Sequence, residues 1–122
     1  MNLRKTLVTM LFLSICAVVA SSAQRTPKVA LSATRVPIPG RIMVRGSGFT
    51  AKRNVTSHLL RPDGTEFPVL PILTNDHGEF SHEIDTLLLS TGTHELWVVD
   101  DTSRASSNRV QFEVTMDQPL TR

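Results

Sequence analysis

The chain has 122 residues, 13 of them lysine or arginine and 11 aspartate or glutamate, with one cysteine, one tryptophan and no tyrosine. That length suits one domain and is short for two. A lone thiol rules out a disulfide framework, and the near balance of charge, with few planar side chains for stacking, argues against nucleic acid as a partner.

The chain opens MNLRKTLVTMLFLSICAVVASSAQ, with Arg4 and Lys5 ahead of an apolar run from Leu7 to Ala20 and small residues after it. This order is that of a secretory signal peptide. The run has 14 residues, whereas a membrane-crossing helix takes about 20. Cleavage after Ala23 satisfies the small-x-small rule through Ser21 and Ala23, and cleavage after Ala20 is the alternative. The organisation expected is therefore a signal peptide over 1–23, a helix in its uncleaved form, followed by a single domain over 24–122. That domain is exported to periplasm or medium, with no membrane span after cleavage. Cys16 leaves with the signal, and the bulky Ile15 before it argues against a lipid-modified cysteine. Loss of Arg4 and Lys5 leaves eleven basic residues against eleven acidic ones, so the excess positive charge belongs to the signal.

From Lys28 onward the apolar residues recur at a period near two, the mark of half-buried strands. After the Pro37-Ile38-Pro39-Gly40 corner, Arg41 to Val44 begins a second strand. Asn54 to Leu60 makes a third, with Val55, Ser57 and Leu59 on one face and Thr56, His58 and Leu60 on the other. Phe67 to Ile72 holds Pro68 and Pro71, which cannot donate ladder hydrogen bonds and so belong at an edge or in a crossover. Phe80, His82 and Ile84 alternate with polar residues, as do Val110, Phe112 and Val114. Leu96-Trp97-Val98-Val99 is apolar at both parities, which predicts a central strand covered on both sides. The segments Arg61-Pro62-Asp63-Gly64 and Asn75-Asp76-His77-Gly78 carry turn residues at the right places. Short strands punctuated this often predict an all-β sandwich or barrel.

The run Pro39-Gly40-Arg41-Ile42-Met43-Val44-Arg45-Gly46-Ser47-Gly48-Phe49, followed by Asn54-Val55, resembles the opening of IPT/TIG and related bacterial immunoglobulin-like domains. Thr74 to Phe80 and Gly92 to Val98 resemble later stretches of the same sandwiches, with His94 where an aromatic residue is usual. The resemblance implies an immunoglobulin-like antiparallel β-sandwich of about seven strands. It also implies an adhesive, spacer or ligand-binding role; no cofactor is expected. Fold similarity specifies function only weakly.

Three chemistries can be weighed on the residues themselves. Gly46-Ser47-Gly48-Phe49-Thr50-Ala51 matches a dinucleotide fingerprint, with Glu66 at the distance of a ribose carboxylate. The mechanism needs a helix N-terminus at the phosphates, and the polar run Lys52 to His58 builds no amphipathic helix, so the glycines read as a bend with Phe49 tucked into the core. His58, His82 and His94 fall in predicted strands and are the candidates for an exported copper- or zinc-binding protein, although ligand spacing and thiols are lacking. Ser57-His58 and Ser81-His82 are strand neighbours whose side chains diverge, so a small secreted hydrolase is the weakest alternative. Trp97 reads as core, and would be the best single anchor for a ligand if it were exposed.

Charge is segregated along the chain: Arg25 to Arg61 holds eight basic residues and no acidic one, and Pro62 onward holds eleven acidic and three basic. One reading pairs the halves internally, with Arg41 and Arg45 beside Glu79, Glu83 and Asp85 on a neighbouring strand. The other makes Arg45, Lys52 and Arg53 a basic face for an anionic envelope polymer or an acidic protein. Spread charges favour pairing. The sequence thus predicts an exported, non-enzymatic binding or structural module, with Arg45, Lys52, Arg53 and His58 as its contact residues, joined by Trp97 if that residue is exposed.

Overall fold

The computed structural model describes residues 26–116; the expected signal helix lies outside them. Eight strands run through the described residues, where the sequence pointed to about seven: Lys28–Leu31 (β1), Arg35–Ile38 (β2), Arg41–Ser47 (β3), Asn54–Leu60 (β4), Leu70–Leu73 (β5), Phe80–Asp85 (β6), Gly92–Asp100 (β7) and Val110–Met116 (β8). They form two sheets, a three-stranded one ordered β1-β3-β6 and a five-stranded one ordered β2-β8-β7-β4-β5.

Period-two alternation sets the faces. In β4 the residues Val55, Ser57 and Leu59 are buried while their neighbours are partly exposed, and β3 buries Ile42, Val44 and Gly46 in the same way. The inward residues Val29, Ile42, Val44 and Phe80 from one sheet meet Val36, Val55, Leu59, Leu96, Val98, Phe112 and Val114 from the other, with Phe49 and Leu89 in the same cluster. Burying such a side chain contributes about 1.5–3 kcal/mol relative to leaving it in water. Two sheets sealed over one apolar layer make this an all-β sandwich.

The strand order matches an immunoglobulin-like sandwich, in which strands A, B and E share one sheet and C, F and G the other. Here β1, β3 and β6 stand in the first three places, and β4, β7 and β8 in the second three. The place beside β6 that a fourth strand would fill is vacant among the described residues.

Both turns form where their residues asked for them. The amide of Gly64 donates to the carbonyl of Arg61 at 2.9 Å, and that of Gly78 to Asn75 at 3.1 Å. The proline-bearing Phe67–Ile72 segment supplies β5, an edge strand containing Pro71.

Three expectations need correction. The stretch before the Pro37 corner is two strands: the chain crosses between sheets after Leu31, and β2 then lies parallel to β8, from Arg35↔Glu113 to Ile38↔Met116. Strand β7 is central, yet only one of its faces is covered by the other sheet; Trp97 and Val99 sit partly exposed on the outer side. Gly46 does not turn the chain. It lies within β3, where a Cβ would run into the ring of Phe80. Gly48, at φ 80°, makes the bend, and Phe49 behind it is buried as expected.

Candidate functional site

The outer face of the five-stranded sheet carries a layered stack. Trp97 on β7 pairs across the ladder with His58 on β4. Side chains directly opposite on one face are close enough to touch. Their rings lie parallel within 5°, centroids 5.1 Å apart. Leu96 of β7 pairs with Val110 of β8 on the other flank, which brings Arg109 beside Trp97 from that side. The Arg109 guanidinium carbon is 3.9 Å from the Trp97 ring centroid. The indole is therefore held between an imidazole and a guanidinium.

Carboxylates close both ends. Glu66 Oε2 is 2.6 Å from Nδ1 of His58, and Arg109 Nη1 is 3.2 Å from Glu95 Oε1. The array Glu66–His58–Trp97–Arg109–Glu95 holds its three inner members from two sides each and leaves the stack on the outer face of the sheet. A cation over an exposed indole is worth about 0.5–1 kcal/mol. Tryptophan and arginine held rigidly in this way are the residue types that dominate binding at protein interfaces.

Of the five contact residues expected from sequence, His58 and Trp97 are brought together. The other three are elsewhere. Arg45 is on the outer face of the three-stranded sheet, opposite Ser81, and lines a shallow hollow of about 600 Å³ with Lys28, Asn75, Glu79 and Asn108. Lys52 and Arg53 are in the β3–β4 connection, where Lys52 Nζ lies 3.6 Å from Asp76 and the Arg53 guanidinium donates to the carbonyl of Lys52 at 3.2 Å. No single basic face gathers them.

Three of the basic residues pair across the halves, through Arg35–Glu113, Arg41–Glu83 and Lys52–Asp76, and His58 lies against Glu66. Strand β3 does lie against β6 as the pairing reading expected, but Arg41 reaches Glu83 at 3.7 Å and Arg45 reaches neither Glu79 nor Asp85. Among the described residues, Arg45 and Arg53 have no carboxylate within ion-pairing distance.

The three candidate metal-binding histidines are in three environments. His58 is in the outer stack. His82 points into a groove between the sheets, where desolvation lowers its pKa. His94 is fully buried against Phe112, rings 5.3 Å apart. Its Nδ1 lies 3.2 Å from the Gly92 carbonyl, to which it donates, and its Nε2 is buried without a partner. Burial holds the His94 imidazole below the usual histidine range. Among the described residues no three of histidine, cysteine, aspartate and glutamate gather as a metal site would need, and no serine hydroxyl is hydrogen-bonded to a histidine.

The glycine-rich connection is a rigid piece of architecture. Asp100, buried at the end of β7, accepts from the amide and hydroxyl of Thr50 and from the amides of Thr102 and Ser103. Thr74 braces the same connection from the other side, its hydroxyl 2.6 Å from the Thr50 carbonyl.

Sequence reasoning missed Arg109 and Glu95, and weighed Glu66 only as the carboxylate of a dinucleotide site. A signal for Arg109 exists, because it precedes Val110 at the outward parity of β8.

No protein-family model matches the chain, and no curated protein matches it. Among solved structures it is similar to the CARDB domain of a Pyrococcus furiosus protein, crystallised in complex with di-metal ions. The identity is 10%, the TM-score 0.48, and the match covers 78% of this chain and 95% of that one. Among the described residues no helix is long and apolar enough to cross a membrane.

Proposed function

We propose that this chain is an exported, non-catalytic immunoglobulin-like module of the IPT/TIG kind, and that it binds a protein partner through the outer face of its five-stranded sheet. The stack of His58, Trp97 and Arg109 carries the reading. Its members are held by ladder pairing and by two carboxylates, so little side-chain freedom is lost on contact, and preorganisation of that kind favours binding. Export rests on the charge and length pattern of residues 1–23.

The test is site-specific photo-crosslinking in the native host, with the probe at Thr56 or Gln111 on the outer face and at Ala30 on the opposite sheet. A partner captured from the first two positions and not from the third, and lost in a folded Trp97→Ala variant, is the expected result. Capture that ignores position, or survives Trp97→Ala, would overturn it.

A second reading is favoured by Arg53 in the β3–β4 connection, whose charge lacks a carboxylate partner among the described residues. In this reading the β3–β4 connection contacts an anionic envelope polymer. Retention on such a polymer that survives a folded Lys52→Glu, Arg53→Glu double variant would count against it.

A further inference from the structure

Strand β6 ends the three-stranded sheet, and its two sides differ. One side carries the ladder to β3 from Gly46↔Phe80 to Arg41↔Asp85. On the other side, among the described residues, no backbone or side-chain group hydrogen-bonds to the main chain of residues 81 to 85. An unpaired edge of that kind is a template for another strand.

Next to this edge the sandwich is open. The five-stranded sheet extends to β5, beyond the reach of the narrower sheet, and the gap is a groove of about 420 Å³. Leu59, Leu70, Leu88 and Leu96 line it, with His82 and Ile84 along the β6 side. Apolar side chains around it stay in water: Val69 is 51% exposed, Leu70 40% and Leu88 73%. On the other face of β6, at the alternate positions, stand Ser81, Glu83 and Asp85. Glu83 is held only by an exposed contact to Arg41 at 3.7 Å, of a kind worth about 0–1 kcal/mol and easily exchanged.

We infer that the free edge of β6 accepts an extended segment of a partner protein as an added strand, with apolar side chains alternating with lysine or arginine. Strand pairing places residues opposite His82 and Ile84 over the groove and residues opposite Glu83 and Asp85 on the acidic outer side. Main-chain hydrogen bonds then supply affinity, and the alternating pockets supply selectivity. The acidic flank disfavours a second copy of β6 as the occupant, since like charges brought face to face repel. This edge belongs to the sheet opposite Trp97, so failure here leaves the crosslinking result at Thr56 and Gln111 untouched.

The test is residue-resolved amide hydrogen exchange on the purified chain, with two capped six-residue peptides, one of alternating lysine and valine and one of alternating glutamate and valine. The lysine–valine peptide is expected to slow exchange of the outward-facing β6 amides about tenfold or more, the signature of new ladder bonds. The glutamate–valine peptide at equal concentration is expected to leave them unchanged. Leu88→Glu places a carboxylate at an exposed position beside the groove, and should abolish the slowing while the core amides of β7 stay protected. Absence of slowing at saturating lysine–valine peptide, equal slowing by both peptides, or slowing that persists in Leu88→Glu would each overturn the proposal. Slowing that grows with protein concentration alone would identify a second copy as the occupant and overturn it as well.

Discussion

Asp100 accepts hydrogen bonds from both the amide and the hydroxyl of Thr50, at 2.7 and 2.8 Å. Thr50 lies in the β3–β4 connection and Asp100 is the last residue of β7, so one buried carboxylate ties the glycine-rich bend after β3 to the end of β7. Burial by itself would raise the Asp100 pKa, but donors on Thr50, Ser103 and Thr102 outweigh it and hold the carboxyl below its ordinary value.

Replacing Asp100 with alanine strands those donors in a buried site and is expected to destabilise the domain by about 3 kcal/mol. Urea unfolding measures it. Because the folded-state pKa is the lower one, the carboxylate's contribution is complete above an unfolded value near 3.9 and disappears as pH falls through the folded value. Asp100→Asn should flatten that acid limb.

His94 and His82 work in the opposite chemical sense and at higher pH. Both are favoured neutral in the folded state by desolvation, so the unfolded chain binds protons first. Their contribution is complete above about pH 6.5 and is lost as pH falls toward the folded values. His94→Phe keeps the ring against Phe112, removes the unpartnered Nε2, and should make stability less dependent on pH between about 7.5 and 5.5. Unfolding curves at those two pH values decide it; an unchanged difference would count against a buried neutral His94.

Gly46→Ala puts a methyl group where the Phe80 ring lies. Overpacking of this kind costs about 1–3 kcal/mol. In a Phe80→Leu background the same substitution should cost clearly less, a coupling that a double-mutant cycle reads directly.

The single tryptophan of the chain makes its own environment measurable. His58→Ala and Arg109→Ala each uncover one side of the Trp97 ring. Each should raise the rate of acrylamide quenching and destabilise the domain by about 0.5–1.5 kcal/mol. Quenching unchanged in both would dissolve the stack as an entity in solution.

Much of the fold was readable in the chain because alternation and turn chemistry act locally. Val55, Ser57 and Leu59 declare the inner face of β4 within one strand, and Arg61 to Gly64 declares its turn within four residues. What escaped depends on partners distant in sequence. Leu96, Trp97, Val98 and Val99 are apolar at both parities, so nothing within the strand says which face is inward; pairing of Trp97 with His58 decides it. The reason for Gly46 is Phe80, far along the chain. Strand β2 shows one buried residue, Val36, in a segment shortened by Pro37, and it exists because β8 is alongside to accept it.

That parallel pairing of β2 with β8 has a mechanical consequence. Parallel neighbours point the same way, so the start of β2 at Arg35 and the end of β8 at Met116 lie at opposite ends of the pair. Tension applied between Arg35 and Met116 would drag the two strands past one another, loading the ladder bonds together and not one at a time as in unzipping. Stretching the domain from those two residues should therefore take more force than pulling the antiparallel β4–β7 pair apart from its Leu60↔Glu95 end, a comparison that optical tweezers can make. A pair built this way keeps its register under strain applied along its length.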